Sequence, residues 1–153
     1  FYKNVFSIPN QYSRNYNDIK QKISNSKISI GLHIRRGDYI EWEKGRYYYS
    51  DGEYGIIIKK IYDLFKTKIL VIIFSNDCII TINDFNILND DIEIAVSKDE
   101  YYFDYALMSV CNYIVGPPST FTLWASYIGS VNCFQIYDIA KPIELQDFFI
   151  CPG

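Results

Sequence analysis

The chain alternates short, nearly unbroken apolar runs with segments whose apolar residues return every three or four positions. The runs at 27–35 (KISIGLHIR), 68–75 (KILVIIFS), 91–97 (DIEIAVS), 113–118 (YIVGPP) and 131–138 (VNCFQIYD) are rich in Ile, Val and aromatic residues and predict five β-strands. The segments at 52–66 (GEYGIIIKKIYDLFK), 104–113 (DYALMSVCNY) and 120–129 (TFTLWASYIG) predict helices, with Leu107, Val110 and Ile114 at helical spacing. A less regular helix is expected over 76–88 (NDCIITINDFNIL), where β-branched residues are frequent. Strands separated by helices of this length imply βαβ units, right-handed crossovers and a mostly parallel sheet covered on both faces. The expected fold class is α/β.

No internal repeat, low-complexity linker or Gly/Pro-rich hinge divides the chain, so 1–153 reads as a single domain: a lead-in over 1–26, a core over 27–138 and a tail over 139–153. The tyrosine-rich stretch GRYYYSDGEYG (45–55) reads as a polar-aromatic loop before a helix, either a cover for a ligand or a plain surface loop.

Composition narrows the partners. With 153 residues, 49% of them apolar and 22% charged, the chain can bury a core of its own. A net charge of -3 argues against a broad nucleic-acid or anionic-membrane surface, so any basic site is local and its ligand a small anion. Cys78, Cys111, Cys133 and Cys151 show no C-x-x-C spacing and mostly sit in apolar runs, which predicts free thiols in a reducing, cytoplasmic setting. No apolar run approaches a membrane span, which leaves peripheral association open, and the oligomeric state is not legible. The opening FYKNVFSIPN has neither an initiator Met nor the layout of a signal peptide and reads as part of something longer.

The chemistry concentrates in GLHIRRGDYI (31–40), which holds the only histidine and two adjacent arginines at the end of a strand. Arginine presents a fork of donors suited to phosphate or carboxylate. Alternation along the strand puts Ile28, Ile30, Leu32 and Ile34 on one face and Ser29, Gly31, His33 and Arg35 on the other, with Arg36 opposite if the strand continues. The bland alternatives are a hydrogen-bonded structural His33 and an Arg36 paired with Asp38 or Asp77. The other strand ends also carry polar residues: Ser75, Asn76 and Asp77; Ser97, Lys98 and Asp99; Ser119 and Thr120. In doubly wound folds such ends share one edge of the sheet, where ligands bind.

In GPPSTF the prolines end a strand and Ser119 stands where a helix N-cap belongs. A helix N-terminus offers free N–H groups and partial positive charge, so with Arg35 it points to a phosphate. The glycine fingerprint of dinucleotide sites and the Walker lysine are both missing, and the scattered His, Cys and Asp residues have no metal-ligand spacing. Arg36, Gly37 and Asp38 also spell a cell-adhesion tripeptide, a chance-prone match beside a buried strand.

HIRRGDY (33–39), FSND (74–77) and DYALMSVCNYIVGPPSTFTLWASYIG (104–129) resemble the donor-binding half of the α-1,2-fucosyltransferases, within a wider fucosyltransferase group marked by H-x-R-R. The similarity spans about 33–137. It implies a Rossmann-like, GDP-sugar-binding domain of a GT-B-like enzyme whose N-terminal half is absent here. It also implies metal-free transfer of L-fucose from GDP-fucose to a galactoside, with inversion. On the resemblance, Arg35 holds the β-phosphate with Ser119 and Thr120 at its other side, His33 and Asp104 contact guanine, and Arg36, Asp38 and Asp77 position the donor. The acceptor hydroxyl needs a base; among Asp38, Glu41 and Glu43, the favoured residues are Glu43 and Asp38. Two positions depart from the family: Leu123 replaces a second aromatic before Trp124, and Asn76 stands where an acidic residue is common. The alternatives are a non-catalytic GDP-sugar-binding domain, a fucosyltransferase of α-1,6 linkage and, more distantly, an unrelated phosphate-binding α/β protein.

Overall fold

A computed structural model describes residues 14–153. Among these residues, nine α-helices and β-strands follow in chain order: α1 (Arg14–Asn25), β1 (Ser29–Ile34), α2 (Asp51–Phe65), β2 (Ile69–Ser75), β3 (Ile92–Val96), α3 (Tyr101–Met108), β4 (Tyr113–Gly116), α4 (Thr120–Gly129) and β5 (Asn132–Gln135). The strands form one parallel sheet in the order β3-β2-β1-β4-β5. Leu32 on the central strand is paired with Ile73 on one side and Val115 on the other. All five strands and the α/β class follow the expectation.

Strand β1 is buried along its whole length because both faces are covered, which is why its apolar run is almost continuous. Ile30, Leu32 and Ile34 pack with Ile57, Ile58 and Ile61 of α2. Behind the opposite face lie α1, α3 and α4, contributing Ile19, Leu107, Met108 and Ala125 to a second cluster with Ile72 and Phe74. α2 begins in a capping box: the Ser50 hydroxyl accepts the Glu53 N–H, and the Glu53 carboxylate accepts the Ser50 N–H at 2.7 Å. After β5 the tail folds back, with Ile143 buried and Phe149 bridged antiparallel to Cys133.

One helix is added and three local expectations are corrected. The lead-in contains a twelve-residue helix, α1, seated through Tyr16 and Ile19, whose three-residue spacing is amphipathic. The weak helix expected over 76–88 is a single 3-10 turn, Ile82–Phe85, because a Thr81–Asp84 capping pair and a left-handed Asn86 close it at once. α3 starts three residues before its expected first residue and stops at Met108, so Val110 lies exposed in a turn while Ile114 belongs to β4. The tyrosine-rich loop is not a plain surface loop. Tyr47, Tyr49 and Tyr54 are buried, and the Tyr49 hydroxyl donates to the Ile136 carbonyl.

Candidate functional site

A cavity of about 470 Å³ opens at the carboxyl ends of β1, β2 and β3, the edge at which a doubly wound sheet binds ligands. It is lined by His33 and Arg35 from the end of β1, Ser75 from β2, Ser97 just past β3, Asp104 from α3 and Phe121 from the first turn of α4. The pleat places His33 as expected, away from the α2 side. Its ring stacks on Phe121 with centroids 4.9 Å apart, and Phe121 stacks in turn on Tyr105.

His33 is only 4% exposed, and its Nδ1 is buried without a hydrogen-bond partner. Burial, helped by the charge on Arg35, holds its pKa down to about 3, so the ring is a neutral donor and acceptor at physiological pH. Gly116 permits this placement: a Cβ there would sit 2.9 Å from His33 Cβ and 3.1 Å from its carbonyl oxygen. The glycine of GPPST is therefore needed for β4 to run close beside the histidine.

Asp104 faces the same cavity and accepts the Ser97 hydroxyl on Oδ1 at 2.5 Å. Burial pushes its pKa up to about 7; the Ser97 hydrogen bond opposes the rise and the negative charge of Asp99 adds to it. One wall thus pairs a neutral imidazole with a carboxyl group poised between its charge states.

Arg35 reaches the cavity from the other side, donating through Nε and Nη2 to the two carboxylate oxygens of Asp38 at 3.0 and 3.2 Å. Arg36 does the opposite. It is buried, donates to the Tyr49 carbonyl and the Asp51 carboxylate, and lies 5.0 and 5.5 Å from the rings of Tyr48 and Tyr54. Its partner is thus Asp51, not Asp38 or Asp77, and burying Arg36 hides the adhesion-like tripeptide.

Ser119 caps α4, accepting the Phe121 N–H at 3.1 Å, and so brings that helix N-terminus to the cavity wall. Thr120 instead faces a separate apolar cleft of about 370 Å³ with Trp124 and Tyr127. Asp77 folds onto its own turn, accepting the Ile79 N–H, and Glu43 is exposed in the 3-10 turn Trp42–Gly45, with φ of 51°. The structure therefore gathers His33, Arg35 and Asp104, sets Ser119 beside them, and leaves Arg36, Asp77, Thr120 and Glu43 off the cavity lining.

Ser97, expected at the ligand edge, lines the cavity. Two contributors were not singled out from sequence: Phe121 lines the cavity, and Tyr39 donates from its hydroxyl to the Pro118 carbonyl at 2.6 Å, fastening the arginine turn to the proline corner. Both stand within the motifs, but their roles depend on contacts across the sheet. The family departure at Asn76 also has a local reason. Its amide accepts the Arg36 N–H at 2.8 Å and donates to the Arg36 carbonyl at 3.2 Å, a double contact that a carboxylate lacks the N–H to make. Among the described residues, no three His, Cys, Asp or Glu side chains converge as a metal site requires.

The chain is similar to the galactoside alpha-(1,2)-fucosyltransferase 1 of Aotus azarae, 24% identical over 124 residues, and to that of Rattus norvegicus, 25% identical over 118. Each alignment takes in 74% of this chain, which spans about a third of the length of these relatives (32% and 31%). A crystal structure of POFUT1 in complex with GDP superposes with a TM-score of 0.49 at 19% identity, covering 79% of this chain and 45% of that one. The family model described as Glycosyl transferase family 11 matches residues 7–143, a stretch that contains every residue lining the cavity, and the chain belongs to that family.

Proposed function

We propose that this chain is the donor-binding half of a galactoside α-1,2-fucosyltransferase and that its cavity holds the GDP of GDP-fucose. The observation that carries the reading is the convergence of buried His33, buried Asp104 and Arg35 on one cavity at the sheet edge. His33 and Asp104 present an acceptor-rich wall to the guanine edge. Arg35 and the Ser119-capped N-terminus of α4 supply donors to the β-phosphate. Arg36 and Asp77 act on the donor indirectly, by fixing the turns that carry Arg35 and the end of β2.

Transfer is an inverting displacement. The acceptor hydroxyl oxygen forms a bond to the anomeric carbon of fucose as the bond to the β-phosphate oxygen breaks, the electron pair leaving with GDP. Negative charge grows on the pyrophosphate, and preorganised donors stabilise that charge more in the transition state than in the ground state. The proton of the acceptor passes to a carboxylate, Glu43 or Asp38. Asp38 is held by Arg35, whereas Glu43 is exposed.

Calorimetric titration with GDP, GDP-fucose and other GDP-sugars tests the reading. GDP should bind, with affinity retained in EDTA because the phosphate is met by a guanidinium and backbone amides; binding lost on chelation and restored by Mg²⁺ or Mn²⁺ would refute metal independence. A full-length protein should transfer fucose to a β-galactoside, with the α-1,2 linkage read by NMR. In it, Glu43→Gln should abolish turnover while leaving GDP affinity intact; retained turnover would move the base to Asp38.

A further inference from the structure

The cavity contains a hydrogen bond that the family resemblance gives no role: Ser97 Oγ to Asp104 Oδ1, at 2.5 Å. Ser97 follows β3 directly and is held by its own N–H to the Ile73 carbonyl of β2, so its hydroxyl is fixed by the sheet. Asp104 is fixed by α3, a different element. The bond therefore sets the orientation of the carboxyl group toward the cavity that both residues line.

We propose that Ser97 is a positioning residue for purine selection, orienting Asp104 and keeping it ionised so that the cavity takes guanine and refuses adenine. The proposal rests on the GDP-binding reading above.

The two bases present opposite patterns to a carboxyl group. Guanine offers two adjacent donors, N1–H and the 2-amino group, which a carboxylate accepts. Adenine offers an acceptor at N1 beside its 6-amino donor, which suits a protonated carboxylic acid, donor and acceptor at once. A carboxylate has about four lone-pair sites, so the Ser97 hydroxyl leaves room for both guanine donors. The charge state of Asp104 thus decides which base fits, and Ser97 biases that state because its O–H bonds the ionised form best.

The other charged and titratable groups on the cavity wall are His33 and Arg35 from β1, Cys78 beyond β2, and Lys98, Asp99 and Tyr101 ahead of or within α3. Burial holds His33 neutral throughout the relevant range, and Asp99 is the neighbour whose charge pushes Asp104 toward protonation. Guanine binding requires the ionised form. Its affinity should therefore rise with pH through the region near 7, where Asp104 loses its proton.

The test is calorimetry of the whole chain with GDP and with ADP between about pH 5.5 and 9, spanning both charge states. Ser97→Ala should move the midpoint of the GDP profile up by about one pH unit, costing about tenfold in GDP affinity on the acid side and far less at the alkaline end. ADP should gain relative to GDP in that variant at low pH. Asp99→Asn should move the midpoint the other way, and Ser97→Thr, which keeps the hydroxyl, should restore the wild-type profile. A Ser97→Ala loss equal at every pH, or an unaltered profile, would overturn the role of Ser97. Wild-type protein that binds no GDP at any pH would instead overturn the GDP reading itself.

Discussion

Replacing Arg35 by alanine should weaken GDP binding about 10- to 150-fold, because a charge-assisted contact to phosphate contributes roughly 1.5 to 3 kcal/mol. The variant should still fold. The protein contacts that Arg35 loses are an ion pair to Asp38 with side chains 34% and 62% exposed and a cation–π contact 5.6 Å from the Tyr39 ring, and at exposed sites each kind contributes about 0 to 1 kcal/mol. Calorimetry with a thermal melt on the same sample separates the two effects: affinity should collapse while the melting temperature hardly moves. A folded variant with unchanged affinity would remove Arg35 from the phosphate site. The adjacent arginine should behave in reverse. Arg36→Ala strips the Tyr49 carbonyl and Asp51 of a buried partner and two rings of a stacked cation, so stability should fall with any change in affinity.

Gly129→Ala should destabilise the chain by about 3 kcal/mol or more, a large share of the ordinary stability of a domain. A Cβ at Gly129 would lie 2.0 Å from the Ser109 carbonyl oxygen and 2.7 Å from its carbonyl carbon. Both atoms are backbone, so no side-chain rotation relieves the clash, and the end of α4 must move away from the turn that follows α3. Urea unfolding should show a lower midpoint at similar slope. A midpoint equal to wild type would mean that α4 and the Ser109 turn are not in contact. Because α4 carries Phe121 and the Ser119 cap, partial undocking should also loosen the wall against which His33 stacks.

How far the sequence was readable depended on whether a signal was local. The five strands were legible because a two-sided parallel sheet demands continuous apolar runs, and α4 was found to the residue because Ser119 caps it and the prolines prevent an earlier start. α1 was overlooked because its apolar stripe is only Tyr16, Ile19 and Ile23 in an otherwise polar segment. Alternation along β1 sorted His33 correctly, since the pleat is a local rule. Nothing local tells Arg36 to choose Asp51, fifteen residues away across a loop, or Ser97 to reach Asp104 from another element. Thr120 shows the same limit. Its position in the motif suggested the phosphate side, whereas helical rotation turns it from Phe121 toward Trp124.

The central strand has a consequence for how the site comes into being. Ser29, at the start of β1, is hydrogen-bonded to Asn112, 83 residues further along the chain. As the protein leaves the ribosome, β1 can pair with β2 early, but its second edge stays open until β4 has been synthesised. During that interval an apolar strand destined for full burial exposes unpaired backbone groups, the state most prone to association with another nascent chain. The contact that ends this exposure also brings Gly116 against His33, and the next segment to emerge delivers Phe121 to its ring. Relief from aggregation and assembly of the cavity wall around His33 therefore belong to the same late stage of folding.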